Sequence, residues 1–400
     1  MKVYWLLFKR VREARHLRKQ AWFLYHSQRD LLKPEARQRL EEALAAYKES
    51  VRAARRPEDV VEAASRLEAT ADRWLLPYPH PSLRENIKEF LVSGVFILAM
   101  FAFFLQPMKI PSGSAQPTLW GNVVTDLQKE PQARIPPWWR RCLDWFAGVS
   151  YYHWVAGDEG ELEILPQKRV FGVIRIQTLR VGSDTYTFWW PPEKLQKWYN
   201  RRSGRFFRKG ETVLKLRVSS GDRLFVDRLT YNFRRPKRGE IIVFSSHDID
   251  RFLRVYRGFQ VLMPNTHYIK RLIAKGGERV QIGDDRHVRI NGARLDAGTP
   301  HFEKVYSFDP NQPPRENVYS GHVNEKIARL MGGRRGLAPL FPDEETVFVV
   351  RPKYYLAFGD NTMNSYDGRA WGDFPREKVV GRAFFVFWPF TKRFGPIEWW

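Results

Sequence analysis

One cysteine, Cys142, serves all 400 residues. An intrachain disulfide is therefore excluded, as is a zinc site built from several thiolates. A single thiol also says nothing about redox compartment. Negative charge is scarce: 44 Asp and Glu stand against 67 Lys and Arg, for a formal net charge of +23. Such a chain is expected to meet an anionic partner, either nucleic acid or the negative surface of a membrane. Zinc-finger spacing, a basic zipper and an aromatic RNA-binding signature are all missing, so no nucleic acid is expected. There is no internal repeat and no Gly-X-Ser-X-Gly elbow, and Gly276-Gly277 follows no phosphate-loop pattern. A cleavable leader is not expected either. The apolar run at residues 4–8 is closed by Lys9 and Arg10, far too short to span a bilayer.

What is present is one long uncharged run, residues 90–108, rich in Phe, Leu, Val and Ile. As a helix it would reach about 28 Å, close to the hydrocarbon thickness of a bilayer. It has no polar face, which argues against a buried helix of a soluble domain. The run predicts a transmembrane helix over 86–108, with a helical, basic N-terminal region over 1–85. Within that region Pro34 predicts a break between an arginine-rich first helix and a second from about 35 to 56. A third amphipathic stretch follows near 57–76, with Val60, Val61, Ala64 and Leu67 at helical spacing. The basic N-terminal part is compatible with a cytoplasmic N-terminus, a single pass, and an extracytoplasmic domain over 109–400. Anionic phospholipid is then the expected partner of the excess charge.

Beyond the run, residues 120–220 alternate short strands and turns. Strands are predicted at 170–176 and 185–190, and a short helix at 193–200. Trp138, Trp139, Trp145, Trp154, Trp189 and Trp190 cluster here. They either rest at the headgroup level of a membrane or fill the core of a small sheet. From Gly221 on, short runs at 224–226, 240–244, 267–273, 279–282, 288–290, 353–358 and 383–388 read as strands. Turns such as Gly276-Gly277 and Asn291-Gly292 separate several of them. A mainly β, antiparallel domain is expected. Residues 299–345, polar and rich in Pro and Gly, read as a surface excursion.

Chemistry centres on residues 111–119, Pro-Ser-Gly-Ser-Ala-Gln-Pro-Thr-Leu. Pro111 and Pro117 restrict the backbone on both sides of two hydroxyls, and Gly113 permits close approach. Ser114 lies nine residues beyond Leu105, so even an extended connector keeps it within about 30 Å of the span's end. It is a candidate nucleophile working near a bilayer surface. Its base is either a histidine or a neutral lysine. His247 reads as exposed in a polar loop, and His267 opens a strand with no triad pattern around it. Lys270 sits inside an apolar strand beside Ile269, Leu272 and Ile273. Acting near neutral pH would need its pKa lowered by about three units, roughly 4 kcal/mol of desolvation or like-charge pressure. The residues alone leave histidine and lysine both open.

The serine segment resembles the serine box of type I signal (leader) peptidases, and further segments agree in order. They are 221–227 (Gly-Asp-Arg-Leu-Phe-Val-Asp) with 238–244, then 268–271 (Tyr-Ile-Lys-Arg) with 276–280. The last is 359–372, Gly-Asp-Asn-Thr-Met-Asn-Ser-Tyr-Asp-Gly-Arg-Ala-Trp-Gly. The resemblance covers about 90–119, 221–300 and 346–390, leaving 1–85 and most of 120–220 unexplained. It implies a signal-peptidase-like antiparallel β fold and a membrane-bound serine endopeptidase of the bacterial cytoplasmic membrane. Such an enzyme cleaves signal peptides from exported precursors after Ala-X-Ala-type sites. Carried over, Ser114 is the nucleophile and Lys270 the general base. Ser112 adds a hydroxyl to the oxyanion hole, and Ser365 hydrogen-bonds and orients the lysine amine. Asp360, Asp367, Arg369 and Arg271 form a supporting polar cluster. Met108, Ile110, Tyr268 and Ile269 line the substrate pockets. No metal or cofactor is implied; partners would be precursor proteins, the bilayer and the secretion machinery.

The sequence departs from that pattern at Ala115 (usually methionine), at Thr362-Met363 (usually Arg-Asp) and at Gly368 (usually serine). Two other readings stand beside this one. A self-cleaving repressor shares Ser–Lys chemistry but lacks a membrane helix and carries a DNA-binding domain. A non-catalytic membrane scaffold binding lipid or a secretion partner would not need Ser114, Lys270 and Ser365 together.

Overall fold

The structure, a computed structural model, describes residues 9–77, 81–130, 132–172, 174–189, 191, 198–247, 266–311 and 320–397. The apolar run at 4–8, Trp190 and most of the helix expected at 193–200 lie outside the described residues. Two compact units divide the chain, Met1–Val95 and Phe96–Trp400.

In the first unit, prolines open both later helices, where a missing N–H costs nothing. Helices α1 (Lys9–Gln28), α2 (Pro34–Ala53) and α3 (Pro57–Trp74) bury one side each. Val11, Ala14 and Tyr25 meet Leu40, Tyr47, Val60, Ala64 and Leu67 in a small core. The Asp59 carboxylate accepts the backbone N–H groups of Arg55 and Arg56 at 2.8 and 2.9 Å, capping α3. Gln28 exchanges two 2.9 Å hydrogen bonds with the Leu76 backbone, fastening the end of α3 to α1.

Helix α4 (Pro81–Ala99) continues as a π turn over Met100–Phe104. The helical run thus begins earlier than expected, and it also ends earlier. Residues 105–108, expected within the span, form strand β1 (Leu105–Lys109). Backbone pairing explains the early end, because Leu105 to Lys109 run antiparallel to a later strand. Residues Ser82–Phe104 make a helix long and apolar enough to cross a membrane, with none of its apolar window buried.

Next come β2 (Val123–Asp126), a nine-residue helix α5 (Trp138–Phe146), β3 (Val149–Val155) and β4 (Gly160–Ile164). They are followed by β5 (Lys168–Val170), β6 (Ile174–Val181), β7 (Asp184–Trp189), β8 (Phe206–Phe207) and β9 (Thr212–Ser219). The strand expected at 170–176 is divided: Val170 ends β5 and Ile174 to Ile176 begin β6, with a turn at Phe171 and Gly172. Phe171 and Gly172 take φ of 49° and 69°, which reverses the chain. Sheets β2-β9-β3 and β5-β6-β4-β8, the latter with β7 on β6, enclose their own core. Trp154, Leu179, Phe188, Phe207 and Leu214 fill it. The tryptophans divide: Trp154 is core, whereas Trp138, Trp139, Trp145 and Trp189 are exposed.

The largest sheet uses β1, β10 (Arg223–Asp227), β11 (Ile241–Ser245) and β12 (His267–Lys275). After these come β13 (Arg279–Ile282), β14 (Val288–Ile290), β15 (Ala293–Arg294), β16 (Phe348–Val349) and β17 (Tyr354–Phe358). The last strands are β18 (Phe374–Pro375), β19 (Val379–Trp388) and β20 (Gly395–Pro396). Eight of them form one antiparallel sheet in the order β1-β10-β19-β11-β12-β17-β18, with β20 on β19. A second sheet runs β15-β14-β13-β16. The mainly β antiparallel domain is as expected. Of residues 299–345, expected to be a surface excursion, 312–319 lie outside the described residues, and the described part contributes to the core. Phe302, Val305, Tyr306, Ala338 and Phe341 are buried in the core around β13, β14 and β17, because the loop carries the apolar cover those strands lack.

Candidate active site

Strand pairing sets the site. Residue Asp222, just before β10, holds both ends of the serine loop. Its carbonyl accepts Ile110 N–H at 2.8 Å, and its N–H donates to the Trp120 carbonyl at 2.8 Å. Its carboxylate accepts Trp120 N–H at 2.7 Å, while Arg393 donates to that same carboxylate at 3.0 Å. From the far side, Asn361 N–H donates to the Ser114 carbonyl at 3.1 Å, and Asn361 Nδ2 to the Gly113 carbonyl at 3.0 Å. The short serine loop is therefore gripped at its base and its tip.

Strand β12 supplies the partner. Lys270 lies opposite Ile242 of β11 and is buried, and its Nζ donates to Ser114 Oγ at 2.6 Å. Burial holds the lysine amine down at about 8. Asp367 acts against that shift, Arg369 adds to it, and Asp360 opposes it. Ser112 Oγ stands 3.2 Å from Ser114 Oγ. A hydroxyl so placed can also face an oxyanion formed at Ser114.

The four residues expected to form a supporting polar cluster make two separate buried ion pairs beside this centre. Arg271, the residue after Lys270, donates to Asp360 through Nε at 2.8 Å and Nη2 at 2.6 Å. Thr118 Oγ1 also donates to Asp360, at 2.6 Å. Arg271 Nη1 is taken up by the carbonyls of Gly239 and His301. Arg369 forks onto Asp367 at 2.9 and 3.0 Å, and both side chains are wholly buried. Its remaining donors reach Thr362 Oγ1 at 2.6 Å and the Thr362 carbonyl at 2.8 Å. Both carboxylates are held below their usual range despite the opposing cost of burial, Asp360 by Arg271 and Thr118, Asp367 by Arg369.

Ser365 departs from expectation. Its hydroxyl is wholly buried but has no hydrogen-bond partner among the described residues, so the expected bond to the Lys270 amine is not formed. It faces the Cα of Gly359, where an added Cβ would lie 2.1 Å away. The four expected pocket residues are also not one group. Met108, Ile110 and Ile269 join the apolar cluster that contains Ala115. Tyr268 instead packs on Phe244, with ring centroids 5.8 Å apart, because neighbouring strand residues point to opposite faces. His247 and His267 are both exposed.

The departures fit their surroundings. Thr362 anchors Arg369 and accepts Val323 N–H at 2.9 Å, and Met363 is buried beside Val323 and Leu337. At Gly368 a Cβ would meet the Ala357 carbonyl and Leu356 Cδ1 at 2.8 Å, so serine would crowd this chain. Thr118, which donates to Asp360, and Asn361, which holds the serine loop, are contacts that the sequence reading did not single out. Both sit inside quoted motifs, yet nothing in their spacing marked them.

A serine hydroxyl bound by a buried amine of lowered basicity, beside a second hydroxyl, has the parts that nucleophilic catalysis uses. Comparison with known proteins narrows this chemistry. Residues 214–388 match the family described as "Signal peptidase, peptidase S26". The chain is 30% identical over 168 residues to the "Probable signal peptidase I-2" of Synechocystis sp., covering 42% of this chain and 56% of that one. It is 30% identical over 171 residues to the "Signal peptidase I" of Leptolyngbya laminosa, covering 43% and 62%. With the "Signal peptidase I" of Aquifex aeolicus it is 31% identical over 194 residues, covering 42% and 69%. The chain belongs to the type I signal peptidase family. It spans 56% and 62% of the first two relatives' lengths.

Proposed function

We propose that the chain is a membrane-anchored serine endopeptidase that removes N-terminal signal peptides from exported precursors. The reading is carried by the 2.6 Å contact between the lowered Lys270 amine and Ser114 Oγ. Family membership supports the substrate class. Ser114 Oγ attacks the scissile carbonyl as Lys270 Nζ takes its proton. The tetrahedral oxyanion is stabilised by the Ser114 backbone N–H and the Ser112 hydroxyl, donors of a kind worth roughly 3–4 kcal/mol each. Lys270 then protonates the leaving amine, which departs as the mature protein's N-terminus. Water, activated by the same lysine, hydrolyses the ester on Ser114.

Cleavage follows small residues at the first and third positions before the bond, in an Ala-X-Ala pattern. Residues 82–104 cross the bacterial cytoplasmic membrane once, with the N-terminal helices inside and the β domain outside. Anionic lipid surrounds the basic chain, and precursors arrive from the secretion machinery. The test incubates the full chain, in detergent with phospholipid, with an Ala-X-Ala precursor and reads the product termini by mass spectrometry. One cut after the second alanine, absent with Ser114→Ala, is expected. Unchanged cutting by Ser114→Ala would overturn the reading.

A further inference from the structure

Helix α5 keeps its apolar side in the open. At 100° per residue, Trp138, Trp139, Cys142, Leu143, Trp145 and Phe146 fall on one arc, and Arg140, Arg141 and Asp144 on the other. Exposures are 75% for Trp138, 52% for Trp139, 59% for Leu143, 56% for Trp145 and 52% for Phe146. Single exposed apolar side chains are ordinary, but a whole helix face of tryptophan, leucine and phenylalanine is an interaction surface.

Its occupant is indicated by what the face adjoins. Phe101, in the last turn of the apolar span, stacks on Phe225 of β10 at 5.9 Å, and Phe225 on Phe387 of β19 at 4.5 Å. The next residue, Trp388, lies 6.3 Å from Trp145 of α5. Phe146 then meets Phe390 at 6.5 Å, and Phe390 meets Phe394 at 5.1 Å. A track of aromatic rings therefore runs from the end of the span to α5. The Phe390 N–H donates to the Phe146 carbonyl at 3.0 Å, tying the helix end to the C-terminal segment. Cations edge the track: Arg140 and Arg141 on α5, and Arg223, whose guanidinium lies 4.7 Å from the Trp388 ring centroid. Aromatic rings flanked by arginine match the interface between acyl chains and phosphate headgroups.

We infer that α5 is an interfacial helix, lying with its apolar face in the bilayer that residues 82–104 cross. This second contact rests on the membrane anchoring proposed above. It holds the β domain to the lipid surface at a second point, at the far end of the aromatic track from the span.

Cys142, the only cysteine and exposed on the apolar arc, offers a probe position. A nitroxide is attached there in the full chain, reconstituted in nanodiscs of phosphatidylcholine with some phosphatidylglycerol. Its collisions with oxygen and with a water-soluble nickel chelate are compared. The same label is placed at Val92→Cys in the span and at exposed Ser307→Cys, each in a Cys142→Ser background. The expected result is an oxygen preference at Cys142, several-fold above that at residue 307, and lost in Leu143→Glu. Nickel access at Cys142 with an oxygen preference at residue 92 would overturn this inference and leave the anchor standing. No oxygen preference at residue 92 would overturn the anchor. Shielding of Cys142 from both reagents would mean that protein covers the face, which also overturns the inference.

Discussion

Lys270 Nζ meets Ser114 Oγ at 2.6 Å across 156 residues of sequence. Neither residue reaches the other by local geometry. β12 delivers the lysine from the middle of a sheet, and a loop closed by Asp222 delivers the serine. In the proposed mechanism the amine's free pair takes the serine proton, so cleavage calls for the neutral lysine. With its pKa lowered to about 8, activity is expected to climb with pH through that value. A kcat/KM profile from about pH 6 to about pH 10 checks this. A flat profile would mean that Lys270 is not the group that titrates.

The same burial works against folding. The amine's folded pKa lies below its ordinary 10.5, so the unfolded chain binds the proton more tightly. The penalty, roughly 3 kcal/mol, is fully present below about pH 8 and fades as pH rises toward the unfolded value. Lys270→Met is therefore expected to abolish cleavage while raising stability at neutral pH by about 1–3 kcal/mol. It should also flatten the rise in stability above pH 8. Thermal unfolding in detergent across pH reads both effects.

Removing one member of the Arg271–Asp360 pair strands the other charge in a dry site. Arg271→Met and Asp360→Leu are each expected to destabilise by about 3–5 kcal/mol. The double variant is expected to recover part of that loss, because no buried charge is left alone. Unfolding midpoints of the three variants test the coupling.

Gly359→Ala would put a methyl group 2.1 Å from Ser365 Oγ and 2.5 Å from the Ser114 carbonyl. The loop that carries Ser114 must then move. A fall in kcat/KM of about tenfold or more is expected. Adding Ser365→Ala removes only the first clash, so activity should return in part.

Because the Ser365 hydroxyl has no partner among the described residues, Ser365→Ala by itself is expected to leave stability unchanged or slightly raised. It should also leave the pH profile in place. A shifted profile would mean that this hydroxyl reaches the amine during turnover.

Much of the site was legible because its chemistry sits in short contiguous motifs. Ser114 and Lys270 could be named once the motifs were seen in order, though no spacing rule links positions so far apart. The strands from Gly221 on were legible from alternation and turn residues. Other features were hidden for definite reasons. Arg271 of β12 pairs with Asp360, two residues beyond the end of β17, and a meeting of that kind is set by tertiary packing. The span's end at Phe104 is decided by β1 pairing with β10, which composition does not reveal. Residues 299–345 look polar on average, yet Phe302, Tyr306 and Phe341, few among polar neighbours, all turn inward. The tryptophans of α5 and the Trp154 core carry the same composition and opposite exposure.

The most direct measurement compares cleavage of one Ala-X-Ala precursor by the full chain and by Lys270→Ala, with folding of both checked by circular dichroism. Cleavage at that site by the parent chain, lost in the folded variant, is the expected result. Equal cleavage by the variant would contradict the role given to Lys270, and no cleavage of several such precursors by the parent chain would contradict the peptidase itself.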